Sequence, residues 1–182
     1  MVNNKWSVIS QKTVYKARFF EVKEQEVLLP NNEKHIFATV ERRPTVHIFP
    51  LTNSNDLYLI SQYRLMFGKR ILEAVSGHID KDETSLVAAK RELKEEVGMS
   101  AFHWEEIARI EKSASVIKET CHIFLARDLE QGKPKPEPGE DIILIKLPVD
   151  EAVAKVVSGE INHAATMVGI FILDRLRREK RL

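Results

Sequence analysis

A single cysteine, Cys121, leaves this chain of 182 residues without the means for an intramolecular disulfide. That scarcity fits a reducing compartment, and a cytoplasmic protein is the expectation. Long apolar runs are missing too. The most apolar stretch, Ala164 to Leu173, falls well short of the roughly 20 residues a membrane span needs, so a buried helix is expected there and no membrane partner. No secretory signal is visible among the first residues, which mix polar side chains with Trp6, Val8 and Ile9. Charge of one sign is also absent: a formal net charge of +1 gives no bulk attraction to nucleic acid or an anionic surface. No stretch is both basic and rich in aromatics, which weighs against nucleic-acid processing such as cap hydrolysis. There is no internal repeat and no extended low-complexity tract. What remains, 43% hydrophobic and 30% charged, is an ordinary globular composition, long enough for a substantial core.

The order of patterns points to an α/β domain with a mixed sheet covered by helices. Val22 to Leu29 and His35 to Val40 read as strands around a Pro30-Asn31-Asn32-Glu33 turn. Val46 to Leu51 and Leu57 to Tyr63 read as strands separated by Asn53-Ser54-Asn55-Asp56. His122 to Ala126 and Ile142 to Leu147 are strand-like, with a proline-rich loop from Gln131 to Glu140 between them. Val149 to Ser158 and Ala164 to Glu179 read as helices, the second carrying Val168, Phe171 and Ile172 toward a basic, solvated end. Thr84 to Val97 reads as a helix with Leu86, Ala89, Leu93 and Val97 on one face, capped by Thr84 or Asp82 and ended by Gly98.

That last helix carries the chemistry. Glu92 and Glu96 are four apart, so their carboxylates leave one face a turn from each other, and Glu95 joins them. Like charges this close repel, and a hard divalent cation with oxygen ligands removes the penalty. Gly77 permits a tight turn or a close backbone approach. His78 is read as a loop or packing residue.

The segment Gly77 to Met99, GHIDKDETSLVAAKRELKEEVGM, resembles the Nudix box, Gly-x5-Glu-x7-Arg-Glu-U-x-Glu-Glu-x-Gly-U with U aliphatic, at every fixed position. The resemblance implies an α/β/α sandwich with a mixed sheet at 45–182, and an N-terminal antiparallel β subdomain at 1–44 through which two copies form a homodimer. It implies a hydrolase for a nucleoside diphosphate linked to another group, with Mg2+ as cofactor and Mn2+ as a substitute. Glu92, Glu96 and the carbonyl of Ser76 would bind metal. Glu95 would join that cluster or activate water, and Arg91 would orient a glutamate. Glu83 is either an outer carboxylate of the cluster or the partner of Arg91. Gly77 and Gly98 are structural.

Outside the box the chain is similar to the ADP-ribose and nucleoside diphosphate sugar pyrophosphatase branch. Gln62-Tyr63-Arg64 implies an arginine, Arg64, on the diphosphate or terminal sugar. Glu140 matches a metal-ligating or catalytic glutamate, and Glu140 and Glu119 are the candidate general bases. Phe19, Phe20 and Phe37 lie where relatives supply a base-stacking aromatic, with core packing as the alternative. Arg42 or Arg43 reaches phosphate or is solvated. The stretch Ser113 to Glu119 lacks the proline and glycine of many ADP-ribose pyrophosphatases, which sets GDP- and ADP-hexoses beside ADP-ribose as substrates. A non-hydrolysing nucleotide-sugar sensor and a hydrolase of capped RNA are the competing functions.

Overall fold

The computed structural model describes residues 5–136, 139 and 141–182. They divide into two compact units, 1–44 with 111–120, and 45–110 with 121–182. Residues 111–120 thus group with the first unit.

In the first unit, β1 (Ser7–Lys16), β2 (Phe20–Leu28) and β3 (Lys34–Arg42) form an antiparallel meander. The short β9 (Ile117–Lys118) runs parallel along β3. Asn32, in the left-handed region at φ 67°, turns the β2–β3 hairpin, a conformation asparagine tolerates better than most residues. β1 is exposed along its whole length, so it offers no buried/exposed alternation by which to recognise it in sequence.

Among the described residues the second unit holds two sheets and three α-helices. One sheet has the order β7-β4-β10-β8, from β4 (Thr45–Pro50), β7 (Val75–His78), β8 (Met99–Glu111) and β10 (Thr120–Gln131). β4 and β10 are parallel, whereas β4 and β7 are antiparallel, so the sheet is mixed. The other sheet has the order β11-β5-β6, from β5 (Asp56–Arg64), β6 (Lys69–Glu73) and β11 (Ile142–Pro148). β4 is buried at every position, as expected of a strand covered on both faces.

The helices lie on opposite sides. α1 (Ser85–Val97) packs Ala88, Ala89, Leu93 and Val97 against Val46, Ile48 and Val75. α2 (Val149–Val157) and α3 (Ala164–Arg178) form the other core with Phe49, Leu51, Ile123 and Leu125. Along β4, Val46 and Ile48 go to one cluster and Phe49 to the other, which makes three layers, α/β/α.

One helix face differs from expectation. In α1 Leu86 is exposed, and the inward stripe takes in Ala88 and Glu96. In α3 the buried residues are Ala165, Thr166, Gly169, Ile170, Leu173 and Leu176, with Phe171 turned outward. Gly169 fixes that rotation, since a Cβ there would come within 2.1 Å of the Phe49 ring. The basic end of α3 is tied down by ion pairs, Arg177 to Asp174 at 3.0 Å and Arg178 to Asp174 at 2.8 Å.

Candidate active site at the α1 and β7 junction

α1 is held at both ends by local chemistry. The Thr84 hydroxyl accepts from the Val87 N–H at 3.3 Å, which makes Thr84 the N-cap. Gly98, at φ 69°, closes the C-terminus with its N–H on the Lys94 carbonyl. Its position demands glycine twice over. The left-handed backbone disfavours a side chain, and a Cβ would lie 2.5 Å from the Pro134 nitrogen. Residues 131–135 lie over that helix end. The Gln131 amide donates to the Val97 carbonyl at 3.1 Å, the Gly132 N–H to Gly98 at 2.7 Å, and the Lys135 N–H to Glu95 at 2.8 Å. These bonds satisfy carbonyls that a helix terminus otherwise leaves to water.

With the helix fixed, its acidic side chains are placed against β7. Gly77 lies over Glu92 so closely that a Cβ would meet the carboxylate carbon at 1.9 Å. Glu96 is 6% exposed and accepts a hydrogen bond from the Ser76 N–H at 3.3 Å. Burying a glutamate is unfavourable without such partners. Ser76, Gly77, Glu92 and Glu96 are thereby gathered at one spot.

Arg91 organises the rest. Its Nε and Nη2 donate to both oxygens of Glu83 at 3.0 and 2.9 Å, the two-point match that a planar guanidinium makes with a carboxylate. Its Nη1 donates to Glu92 at 2.7 Å and Glu95 at 3.1 Å, and Nη2 also donates to the His78 carbonyl at 3.0 Å. Glu83 is therefore the partner of Arg91, one of its two expected roles. The Asp80 N–H adds a further donor to Glu83 at 3.1 Å. The Arg91 hydrogen bonds hold the Glu83 carboxyl below the usual glutamate range against the opposing effect of burial. Reciprocally, the hydrogen bonds to Glu83, then to Glu92, push the Arg91 pKa upward.

The NUDIX domain model matches residues 41–166, well over half of the sequence. The chain belongs to the NUDIX family. It is 27% identical over 173 residues to an ADP-ribose pyrophosphatase of Mycobacterium tuberculosis, covering 93% of this chain and 84% of that protein. It is 26% identical to an ADP-ribose pyrophosphatase of Bacillus subtilis, covering 91% of each chain. A crystal structure of an ADP compounds hydrolase shares the fold at a TM-score of 0.85 and 24% identity, covering 98% of this chain and 97% of that one. As a NUDIX enzyme this chain is a pyrophosphohydrolase, and the family generally uses divalent metal ions.

The NUDIX residues present fit such an ion. Glu92, Glu95, Glu96 and the backbone at Ser76 offer oxygen donors only, as a hard divalent cation prefers, and Gly77 leaves the approach to Glu92 open. Among the described residues no three acidic, histidine or cysteine side chains are already converged on one point; Arg91 gathers Glu83, Glu92 and Glu95 instead.

The other expected NUDIX site residues have the following surroundings. Arg64, at the end of β5, donates from Nε to Glu73 at 2.6 Å. Glu119 is in the first unit, its side chain only 1% exposed and bonded to Arg42 at 2.8 Å and Lys112 at 2.9 Å. Phe19 is there too, with the Arg18 guanidinium 4.8 Å and that of Arg43 5.8 Å from its ring centroid. Phe37 is flanked by Trp6 at 5.6 Å and His35 at 5.1 Å. Glu140 lies outside the described residues. Two polar groups escaped the sequence reading. Glu73, 4% exposed, gives no local signal, being one glutamate in an apolar run. Thr166 is fully buried and accepts from the Ala74 N–H at 3.0 Å while bonding His163 at 2.9 Å, fixing the backbone just ahead of Ser76.

Proposed function

We propose that the chain hydrolyses the diphosphate bond of a nucleoside diphosphate sugar, ADP-ribose or a GDP- or ADP-hexose, with Mg2+ as cofactor and Mn2+ as a substitute. The products are a nucleoside monophosphate and a sugar phosphate. One observation carries the reading: Glu92 and Glu96 meet Ser76 and Gly77 where α1 crosses β7. Relatives named for ADP-ribose, for ADP compounds and for GDP-mannose support this substrate class.

Glu92, Glu96, the Ser76 carbonyl and Glu95 would hold the cation, with Glu140 as a further ligand. Held there, such an ion would supply neutralisation of diphosphate charge and polarisation of a phosphoryl oxygen. Arg91 keeps Glu92 and Glu95 in place through the bonds described, and Glu83 fixes the plane of Arg91 in turn. Arg64 contacts the diphosphate, and Phe19 or Phe37, with Arg43 beside Phe19, serves the base. Glu140 or Glu119 takes the proton from the attacking water.

A cytoplasmic homodimer is part of the same proposal. Trp6, Val8, Val14, Tyr15 and Ile36 are each more than half exposed in the first unit, and apolar exposure of that extent marks an interaction surface.

Glu96→Gln tests the chemistry, because the amide oxygen still accepts from Ser76 N–H while the charge is gone. Assayed for phosphate monoester release from a panel of nucleotide sugars with Mg2+, the variant should lose about a hundredfold or more in kcat with its thermal melt retained. A near-normal rate refutes the assignment. Tight ADP-ribose binding by the unmodified protein with no product would make the chain a sensor.

A further inference from the structure

We propose that Glu73 is a positioning residue, a buried anchor that aims Arg64 at the substrate's diphosphate. The inference rests on the reading of Arg64 as a substrate contact. In the β5–β6 hairpin Ile60 faces Glu73, Gln62 faces Ile71 and Arg64 faces Lys69. Alternate residues of a strand share a face, so Ile60, Gln62, Arg64, Ile71 and Glu73 lie on one side of the hairpin. Ile60 packs in the same cluster as Ala88, Ala89 and Leu93 of α1. Glu73 and Arg64 therefore lie on the side turned to the box helix. Leu72 and Ala74, on the opposite side, pack with the α2–α3 core.

Burial separates the roles of the pair. The Glu73 side chain is 5% exposed and that of Arg64 is 38% exposed. A carboxylate so deep is strongly disfavoured without a cationic partner, and the Arg64 Nε–H supplies it at 2.6 Å. Guanidinium is planar, so holding Nε to a fixed oxygen restricts the plane in which the other four N–H groups lie. Among the described residues no acceptor bonds the Arg64 Nη nitrogens. The cation is tethered at its root and open at its tip, suited to donate two parallel hydrogen bonds to phosphate oxygens. Among the described residues Arg64 is the hydrogen-bonding and ion-pair partner of the Glu73 carboxylate, so its effect on the reaction passes through Arg64.

The test measures kcat and KM for ADP-ribose and GDP-mannose with Mg2+ in Glu73→Gln, Arg64→Ala and the double variant, each with its thermal melt. Glu73→Gln should raise KM about tenfold or more, with a smaller change in kcat, because the arginine loses a charge-assisted bond. In the Arg64→Ala background the same change should add less than about twofold, since coupled residues are non-additive. If Arg64→Ala raises KM and Glu73→Gln does not, or if the two effects multiply, the positioning role falls while Arg64 keeps its own. An unchanged KM in Arg64→Ala removes the reading of Arg64 itself. Should Glu73→Gln fail to fold, Glu73→Asp keeps the charge and draws the carboxylate back, and a wild-type KM in that variant also overturns the proposal.

Discussion

Replacing Gly77 by alanine separates catalysis from folding, and the geometry says by how much. The new Cβ would lie 1.9 Å from the Glu92 carboxylate carbon, 2.0 Å from Oε1 and 2.5 Å from Cγ. Non-bonded carbons rest at about 3.5–4.0 Å, so the Glu92 carboxylate must retreat by roughly 2 Å. It is the far end of a flexible side chain, and the Gly77 φ is not in the left-handed region. The fold therefore adjusts cheaply, helped by the roughly 0.4–1 kcal/mol that Gly→Ala removes in unfolded-chain entropy. Catalysis does not adjust, because a misplacement of about 1 Å at a reacting centre costs on the order of a hundredfold. Gly77→Ala should thus lose about a hundredfold in kcat, with Tm within about 3 °C of wild type for a stability change under 1 kcal/mol. Gly169→Ala is the matched control. Its Cβ would strike the fully buried Phe49 ring at 2.1 Å, an overpacking cost of about 1–3 kcal/mol, so Tm falls while kcat below the transition is kept. Coupled phosphate release and a thermal melt on both variants check this. A Gly77→Ala enzyme of normal kcat, or one whose loss follows a Tm drop as large as that of Gly169→Ala, refutes the reasoning.

Two further outcomes follow from the site and the first unit. Since Arg91 holds the Glu83 pKa below its ordinary value, the stability from that pair is present above the unfolded glutamate pKa of about 4.3. It is lost as pH falls through the lower folded value. Glu83→Gln should therefore flatten the acid limb of the stability curve in urea titrations from pH 5 downward; an unchanged limb removes the pair as its source. The exposed apolar residues of β1 and β3 predict a dimer, so light scattering at micromolar concentration should return twice the chain mass of 20.9 kDa. A fully active monomer ends that expectation.

Much of the α1 region was legible because its determinants are local. Thr84 and Gly98 stand at the two ends of one segment and cap it as their positions suggest. What escaped depends on distant partners. Glu96 lies on the buried stripe because the Ser76 N–H, 20 positions away, meets it there; a hydrophobic pattern counts any glutamate as outward. Glu119 is buried by Arg42, 77 positions earlier, which draws residues 111–120 into the first unit. β8 lacks regular alternation, its half-buried Ala101, Trp104, Ile107, Ala108 and Ile110 being unevenly spaced. Between β6 and β7 the sequence from Lys69 to Ser76 holds no glycine or proline to mark the break.

The bonds from residues 131–135 to the end of α1 have a consequence for synthesis on the ribosome. The box is complete once Met99 has been added, yet the Lys135 N–H that completes the turn around Glu95 follows 36 residues later. At ~5–20 residues per second that interval is roughly 2–7 s. During it the Glu95, Val97 and Gly98 carbonyls lack the partners that residues 131–135 give them in the finished protein. The bonds that close the backbone at the end of α1 therefore wait until the strand from Thr120 to Gln131 has been made, whereas the residues that hold the box carboxylates precede Met99.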